Sequence, residues 1–182
     1  MNRIIAVDLD GTLVRSDMLV ESLFLLLRIA PLKFLKVFFW LFLGKAYLKT
    51  KVANEVSHAL DIKSLPYDQE LLSWLKDQRS EGAYLVLATA TDKRIASSIA
   101  EYLEIFDDVM GTEEINLSAE KKLAALTSEY GASGFEYVGN SKDDLPVWQS
   151  ATTVHIVNPE RSSRLRLLAE SVDAPLAPQA AV

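Results

Sequence analysis

Short apolar runs punctuate this chain, and each is followed by a segment of helical length. Arg3-Ile-Ile-Ala-Val-Asp-Leu-Asp10 reads as a buried strand that turns abruptly acidic and is ended by Gly11-Thr12. Tyr84-Leu-Val-Leu-Ala-Thr89 is almost unbroken in its apolarity, as a central parallel strand covered on both faces should be. Residues 107–111, 136–139 and 153–157 read as three further strands. Asp92 is placed to cap a helix running to 103, and Ser118 one running to 130. Residues 143–150 read as a short helix, 161–170 as a last one, and 171–182, rich in Ala and Pro, as a loose tail. Strands that alternate with helices predict an α/β fold, a doubly wound parallel sheet. In such sheets ligands bind beyond the carboxyl ends of the strands, so the polar residues there are the candidates for chemistry.

One segment does not fit the alternation. Between the first and second strands lie about 50 residues without a strand signal. Ser16 or Asp17 can start a helix to 30, Pro31 suits the first position of a second to 43, and a third follows Gly44 to about 60. Leu65-Pro-Tyr67 is a loop before another helix, 68–80. Residues 22–54 hold six basic residues (Arg28, Lys33, Lys36, Lys45, Lys49, Lys51) and no acid, although the whole chain of 182 residues has a net charge of −6. Residues 19–43 are also the most apolar stretch, broken only by Glu21, Ser22, Arg28, Pro31, Lys33 and Lys36. Those breaks argue against a simple spanning helix, which needs about 20 apolar residues in succession. A complete strand precedes the stretch, which argues against a signal peptide. The expected organisation is a core of 1–14 and 68–170, an inserted all-helical cap of 15–67, and a tail of 171–182.

Composition removes several chemistries. With no cysteine, disulfides, thiolate zinc sites, iron–sulfur clusters and thiol nucleophiles are excluded, and the presence of only two histidines argues against a multi-histidine metal site. The acidic balance argues against a nucleic-acid partner. His58, His155, Trp74 and Trp148 read as packing or surface residues, and Trp40 as an anchor at a lipid interface or a core residue.

At the first strand's end, Asp8 and Asp10 fall on one side of the strand by alternation. Two carboxylates so close are tolerable with a cation between them or with one protonated, and either state is chemically useful. Asp8-Leu-Asp-Gly-Thr-Leu13 resembles the first signature motif of the haloacid dehalogenase (HAD) superfamily of phosphatases. Three later segments resemble the remaining motifs in order. Thr89 closes the next core strand, with Thr91 as a nearby alternative. Lys121 and Lys122 both begin a later helix, and Lys122, followed by Leu123 and Leu126, is the better match. Val138-Gly-Asn-Ser-Lys-Asp-Asp144 places an acid at Asp144 and puts Asn140 where the family pattern has Asp.

The resemblance implies a HAD, Rossmann-like fold and a phosphomonoester hydrolase working through an aspartyl-phosphate. Asp8 would be nucleophile and Asp10 general acid and base. Thr89 and Lys122 would hold the phosphate, and Mg²⁺ would be bound by Asp8, Asp10, Asn140 and Asp144. The finer resemblance is to the HAD domain found beside or fused to intramembrane prenyltransferases that join phosphoribose to a polyprenyl phosphate. It is carried by Leu65-Pro-Tyr67, Leu85-Val-Leu-Ala-Thr-Ala90, the Gly-Asn-Ser form of the fourth motif, and Asp144-Leu-Pro-Val-Trp148. It implies removal of the 5-phosphate of a polyprenyl-phosphate-linked phosphoribose, with a prenyltransferase partner in a separate chain.

The apolar, basic cap has the composition of an interfacial anchor on an anionic membrane. The expected location is the cytoplasmic face of the inner membrane, peripheral or monotopic, and otherwise the cytoplasm; the cap could also join copies of the chain into an oligomer. Two other functions stay open on sequence: a soluble-metabolite phosphatase of the phosphoserine phosphatase type, and a non-catalytic adaptor of a membrane prenyltransferase.

Overall fold

A computed structural model describes residues 3–113 and 116–158. Five parallel strands, β1 (Ile4–Val7), β2 (Tyr84–Asp92), β3 (Asp108–Thr112), β4 (Glu136–Gly139) and β5 (Val154–Ile156), form one sheet in the order β3-β2-β1-β4-β5. Eight α-helices accompany them among the described residues: α1 (Met18–Ile29), α2 (Pro31–Phe34), α3 (Val37–Phe42), α4 (Lys45–Val56), α5 (Gln69–Ser80), α6 (Lys93–Leu103), α7 (Ala119–Tyr130) and α8 (Leu145–Trp148). The expected helix at 161–170 and the tail at 171–182 lie outside the described residues.

Strand alternation divides the core into two layers. Ile5, Val7, Leu85 and Leu87 face α5 and α6, through Leu71, Leu75, Ile95 and Ile99. Ala6, Val86, Ala88 and Tyr137 face α7 and α8, through Leu126, Val147 and Trp148. With β1 central and buried on both faces, the two acids beyond its end are held at the middle of the sheet's carboxyl edge. Caps fix the helix entries as the sequence suggests. Asp17 accepts from the N–H groups of Leu19 and Val20, Asp68 from Leu71, and Asp92 from Arg94. Ser118 holds the cap position of α7 but makes no side-chain bond to the helix.

Helices α1 to α4 leave and rejoin the core through a two-stranded neck. Val14 bridges Tyr67 in antiparallel fashion, Arg15 N–H donates to the Pro66 carbonyl at 3.0 Å, and Asp68 N–H donates to the Leu13 carbonyl at 2.9 Å. Leu26, Trp40, Leu48, Val52 and Val56 form a separate small core inside this cap. The single helix expected over 31–43 is two, divided at Leu35 and Lys36, where Lys36 N–H turns back to the Lys33 carbonyl at 3.0 Å. Trp40 is buried in the cap core at 7% exposure, which corrects its reading as a lipid anchor. Four short helices cannot cover one another, and what stays outside is bulky: Phe24, Leu32, Leu35, Phe38, Phe39 and Phe42 are each more than 60% exposed. No helix among the described residues is long and apolar enough to cross a membrane.

Candidate active site

The carboxyl edge of the sheet and the underside of the cap enclose a cleft of about 550 Å³, within the usual size of a small-molecule site. Asp8, Asp10, Gly11, Lys122, Asn140, Asp143 and Asp144 come from the core, and Leu19, Leu41, Lys45, Leu48 and Lys49 from the cap.

Asp8 follows β1 directly and is 8% exposed. Its Oδ1 accepts from Lys122 Nζ at 2.7 Å. The same Nζ donates to the Tyr137 hydroxyl at 2.7 Å, which donates in turn to Asp144 Oδ1 at 2.9 Å. Lys122 stands 3.6 Å from Asp144 itself. The choice between the two lysines follows from helix phase. Lys122 shares with Leu126 the buried side of α7, and Lys121 points to solvent.

Burial pushes the Asp8 carboxyl up; Lys122 pulls it back, while the negative charges of Asp144 and Asp10 push it further up. Burial disfavours the Lys122 ammonium, but Asp8 and Asp144 outweigh that and hold it above its ordinary value, so it remains charged. The Tyr137 phenol is raised by burial and by the same two acids, and it stays a neutral relay.

Asp144 is anchored rather than open. Its Oδ2 accepts from the N–H groups of Asn140 and Ser141, both at 3.2 Å, so both carboxylate oxygens are engaged. Through these bonds Asp144 positions Lys122 and the β4 loop. Gly139 makes this possible, since a Cβ there would lie 2.6 Å from Asp144 Oδ2. Gly11, at φ +74°, serves likewise: a Cβ would collide with Asn140 Nδ2, so the two loops touch only because residue 11 has no side chain.

Asp10 Oδ1 accepts from Met18 N–H and Oδ2 from the Thr91 hydroxyl, both at 2.7 Å. Burial raises its pKa, and those two hydrogen bonds moderate the rise. Thr91 is therefore the hydroxyl at the cleft wall. Thr89 is fully buried on the Leu85 and Leu87 side of β2, and its Oγ1 accepts from Thr91 N–H at 3.0 Å. The register of β2 against β3 shifts between Ala88 and Asp92, and at this irregular end of the strand Thr91, not Thr89, lines the cleft.

Residues present fit Mg²⁺ through hard oxygens alone: an Asp8 carboxylate oxygen, the Asp10 carbonyl and the Asn140 amide. Among the described residues no three of His, Asp or Glu gather into a dedicated metal cage. Mg²⁺ retains several waters and is satisfied by few protein ligands.

Sequence reasoning ranked Thr91 behind Thr89 and passed over Tyr137 and Lys49 as site residues. Lys49 reaches down from α4 to donate to the Ala90 carbonyl at 2.6 Å and to Asn116 Oδ1 at 3.4 Å, and burial lowers its pKa. Its signal was the four-residue spacing from Lys45, which puts both on one helix face.

No family model matches the chain. The uncharacterized protein y4nM of Sinorhizobium fredii (strain NBRC 101917 / NGR234) is 36% identical over 151 residues, which is 82% of this chain but 29% of that protein. This chain thus spans less than a third of the relative's length. Among solved structures, a protein of unknown function from Bordetella pertussis Tohama I superposes with TM-score 0.75 at 15% identity, covering 98% of this chain and 99% of the other. A HAD family hydrolase from Salmonella enterica serovar Typhi gives 0.67 at 14% identity over 95% and 66%. Phosphoserine phosphatase in apo form gives 0.63 at 14% identity over 98% and 94%. The parallel five-stranded sheet with its inserted helical cap is therefore the fold of phosphoserine phosphatase and the haloacid dehalogenase-like hydrolases.

Proposed function

We propose that the chain is a Mg²⁺-dependent phosphomonoester hydrolase working through an aspartyl-phosphate on Asp8, with a lipid-linked sugar phosphate at a membrane surface as its substrate. The observation that carries the chemistry is the buried Asp8–Lys122 pair at the sheet's carboxyl edge, 2.7 Å apart, beside a second acid whose pKa is raised.

Lys122 holds one Asp8 oxygen and fixes the carboxylate, leaving the other oxygen to attack phosphorus in line with the leaving alkoxide. Asp10, protonated at this stage, gives its proton to that alkoxide as the P–O bond breaks. Asp10, now a carboxylate, takes a proton from water, whose oxygen attacks the phosphoryl group. Inorganic phosphate leaves and the Asp8 carboxylate is restored. Lys122, and the Thr91 hydroxyl once turned from Asp10, would meet the negative charge that gathers on the phosphoryl oxygens. Asp8, the Asp10 carbonyl and Asn140, with Asp144 beside them, would hold Mg²⁺, which when bound would supply charge neutralisation of the phosphate.

An amide at position 140 contributes one charge fewer to the ion than a carboxylate. Asn140→Asp is expected to lower the Mg²⁺ concentration for half-maximal turnover by about tenfold, measured by titrating the ion at fixed substrate. No change in that concentration would remove Asn140 from the ligand set.

The membrane reading is supported by the cap surface. Its exposed phenylalanines and leucines are accompanied by Arg28, Lys33, Lys36 and Lys51, and of these only Lys33 pairs with an acid, Glu55 at 2.6 Å, among the described residues. Each Phe taken into the interface contributes about 1.5–3 kcal/mol, and each cation near anionic lipid about 1 kcal/mol. The chain is expected to sediment with phosphatidylglycerol vesicles and to be released by Phe38→Glu with Phe42→Glu. Equal recovery in the supernatant with and without vesicles would contradict it. An intramembrane prenyltransferase is the partner consistent with this placement. A panel of phosphoserine, ribose 5-phosphate and a synthetic lipid-linked phosphoribose tests the substrate; preference for phosphoserine would favour a soluble-metabolite phosphatase instead.

A further inference from the structure

Of the six cations between residues 22 and 54, two border the cleft. Lys45 and Lys49, one turn apart on α4, line the cleft that holds Asp8. Lys49 is half-buried, and its contacts are neutral: the Ala90 carbonyl and the Asn116 amide oxygen. Asp10 and Asp17 are near enough to be felt through space, yet among the described residues no carboxylate comes within 4 Å of either ammonium. Lys33, Lys93 and Lys122, by contrast, each meet an acid at 2.6–2.7 Å. A neutral donor would tie the cap to the Ala90 carbonyl equally well. A charge there, partly out of water and unneutralised, is favourable only when an anion joins it. The Ala90 carbonyl neighbours Thr91, so Lys49 stands at the reacting end. The cap wall then runs out through exposed Lys45 to exposed Leu41, which also lines the cleft.

We propose that Lys45 and Lys49 bind a second oxyanion of the substrate, so that the cleft takes a phosphomonoester whose remainder carries another phosphate diester or a carboxylate, with any apolar portion leaving over Leu41. This rests on the phosphatase reading and names the substrate class of that site.

The test compares kcat/KM for three Mg²⁺-supported substrates: an aryl phosphate with no second anion, phosphoserine, and a short-chain alkyl phosphodiester of ribose 5-phosphate. The wild-type chain prefers one of the doubly anionic substrates by about tenfold or more, the effect of one charge-assisted contact. Which of the two is preferred identifies the oxyanion. Lys49→Gln and Lys45→Gln each lower that preference by about tenfold, chiefly through KM, and Lys49→Arg retains it. Lys45 is exposed and touches no core group, so its variant serves even if Lys49→Gln loosens the cap. An active wild-type chain without the preference, or one whose preference survives both Gln substitutions, overturns the subsite. Absence of turnover on all three substrates overturns the phosphatase reading itself.

Discussion

Asp8→Asn is expected to lower phosphomonoester turnover by about 10⁴-fold or more while leaving the fold intact. An amide has no free carboxylate oxygen to attack phosphorus, so the covalent route closes rather than slows. The change conserves volume at a buried position, and the amide oxygen can still accept from Lys122 Nζ, so the Asp8 side of the Lys122–Tyr137–Asp144 chain keeps a partner. Turnover of any aryl phosphate, measured with thermal unfolding on the same preparations, reads both parts. Near-full activity in a folded Asp8→Asn variant would remove Asp8 from the reaction.

Lys122→Met removes the charge and keeps the apolar stem. It leaves Asp8 and Asp144 facing each other in a buried site without a cation, and breaking such a pairing costs about 3–5 kcal/mol. Turnover falls as well, by about 10²–10³, because the phosphoryl oxygens lose a fixed positive charge. The stability loss depends on pH in a definite direction. Lys122 now pulls the Asp8 pKa down against burial, and without it Asp8 rises further above its unfolded value. A carboxyl raised in the folded state favours folding below its unfolded pKa and loses that advantage as pH rises through the folded pKa. The variant should therefore lie closest to wild type at about pH 5 and furthest from it at about pH 8, by denaturant titration at both. An equal deficit at the two pH values would mean that Lys122 acts by packing alone.

The apolar strand runs and their alternation with capped helices were readable because the buried parallel sheet leaves a pattern in every strand it uses. Asp8 and Asp10 were readable for the same reason: an acid at the end of an apolar run marks the sheet's carboxyl edge. Thr89 ranked ahead of Thr91 because it closes the apolar run, and the strand's own residues do not show that Thr91 is the one lining the cleft. Tyr137 was hidden inside a strand run, where a phenol reads as an aromatic core residue until its hydroxyl is seen between Lys122 and Asp144. The cap misled in two ways. Trp40 read as a lipid-interface anchor or a core residue, and its packing among Leu26, Leu48, Val52 and Val56 makes it the latter. Summing charge over residues 22–54 merged Lys45 and Lys49 with the cations outside, although only those two line the cleft.

The central claim is a covalent phosphoryl group on Asp8. Incubation with Mg²⁺ and a phosphomonoester, acid quenching during turnover, and mass spectrometry of the peptide containing Asp8 tests it most directly. The account predicts a phosphoryl adduct on Asp8 that requires Mg²⁺, disappears when substrate is exhausted, and is absent in Asp8→Asn. Steady release of phosphate with no adduct on Asp8 at any quench time would contradict it.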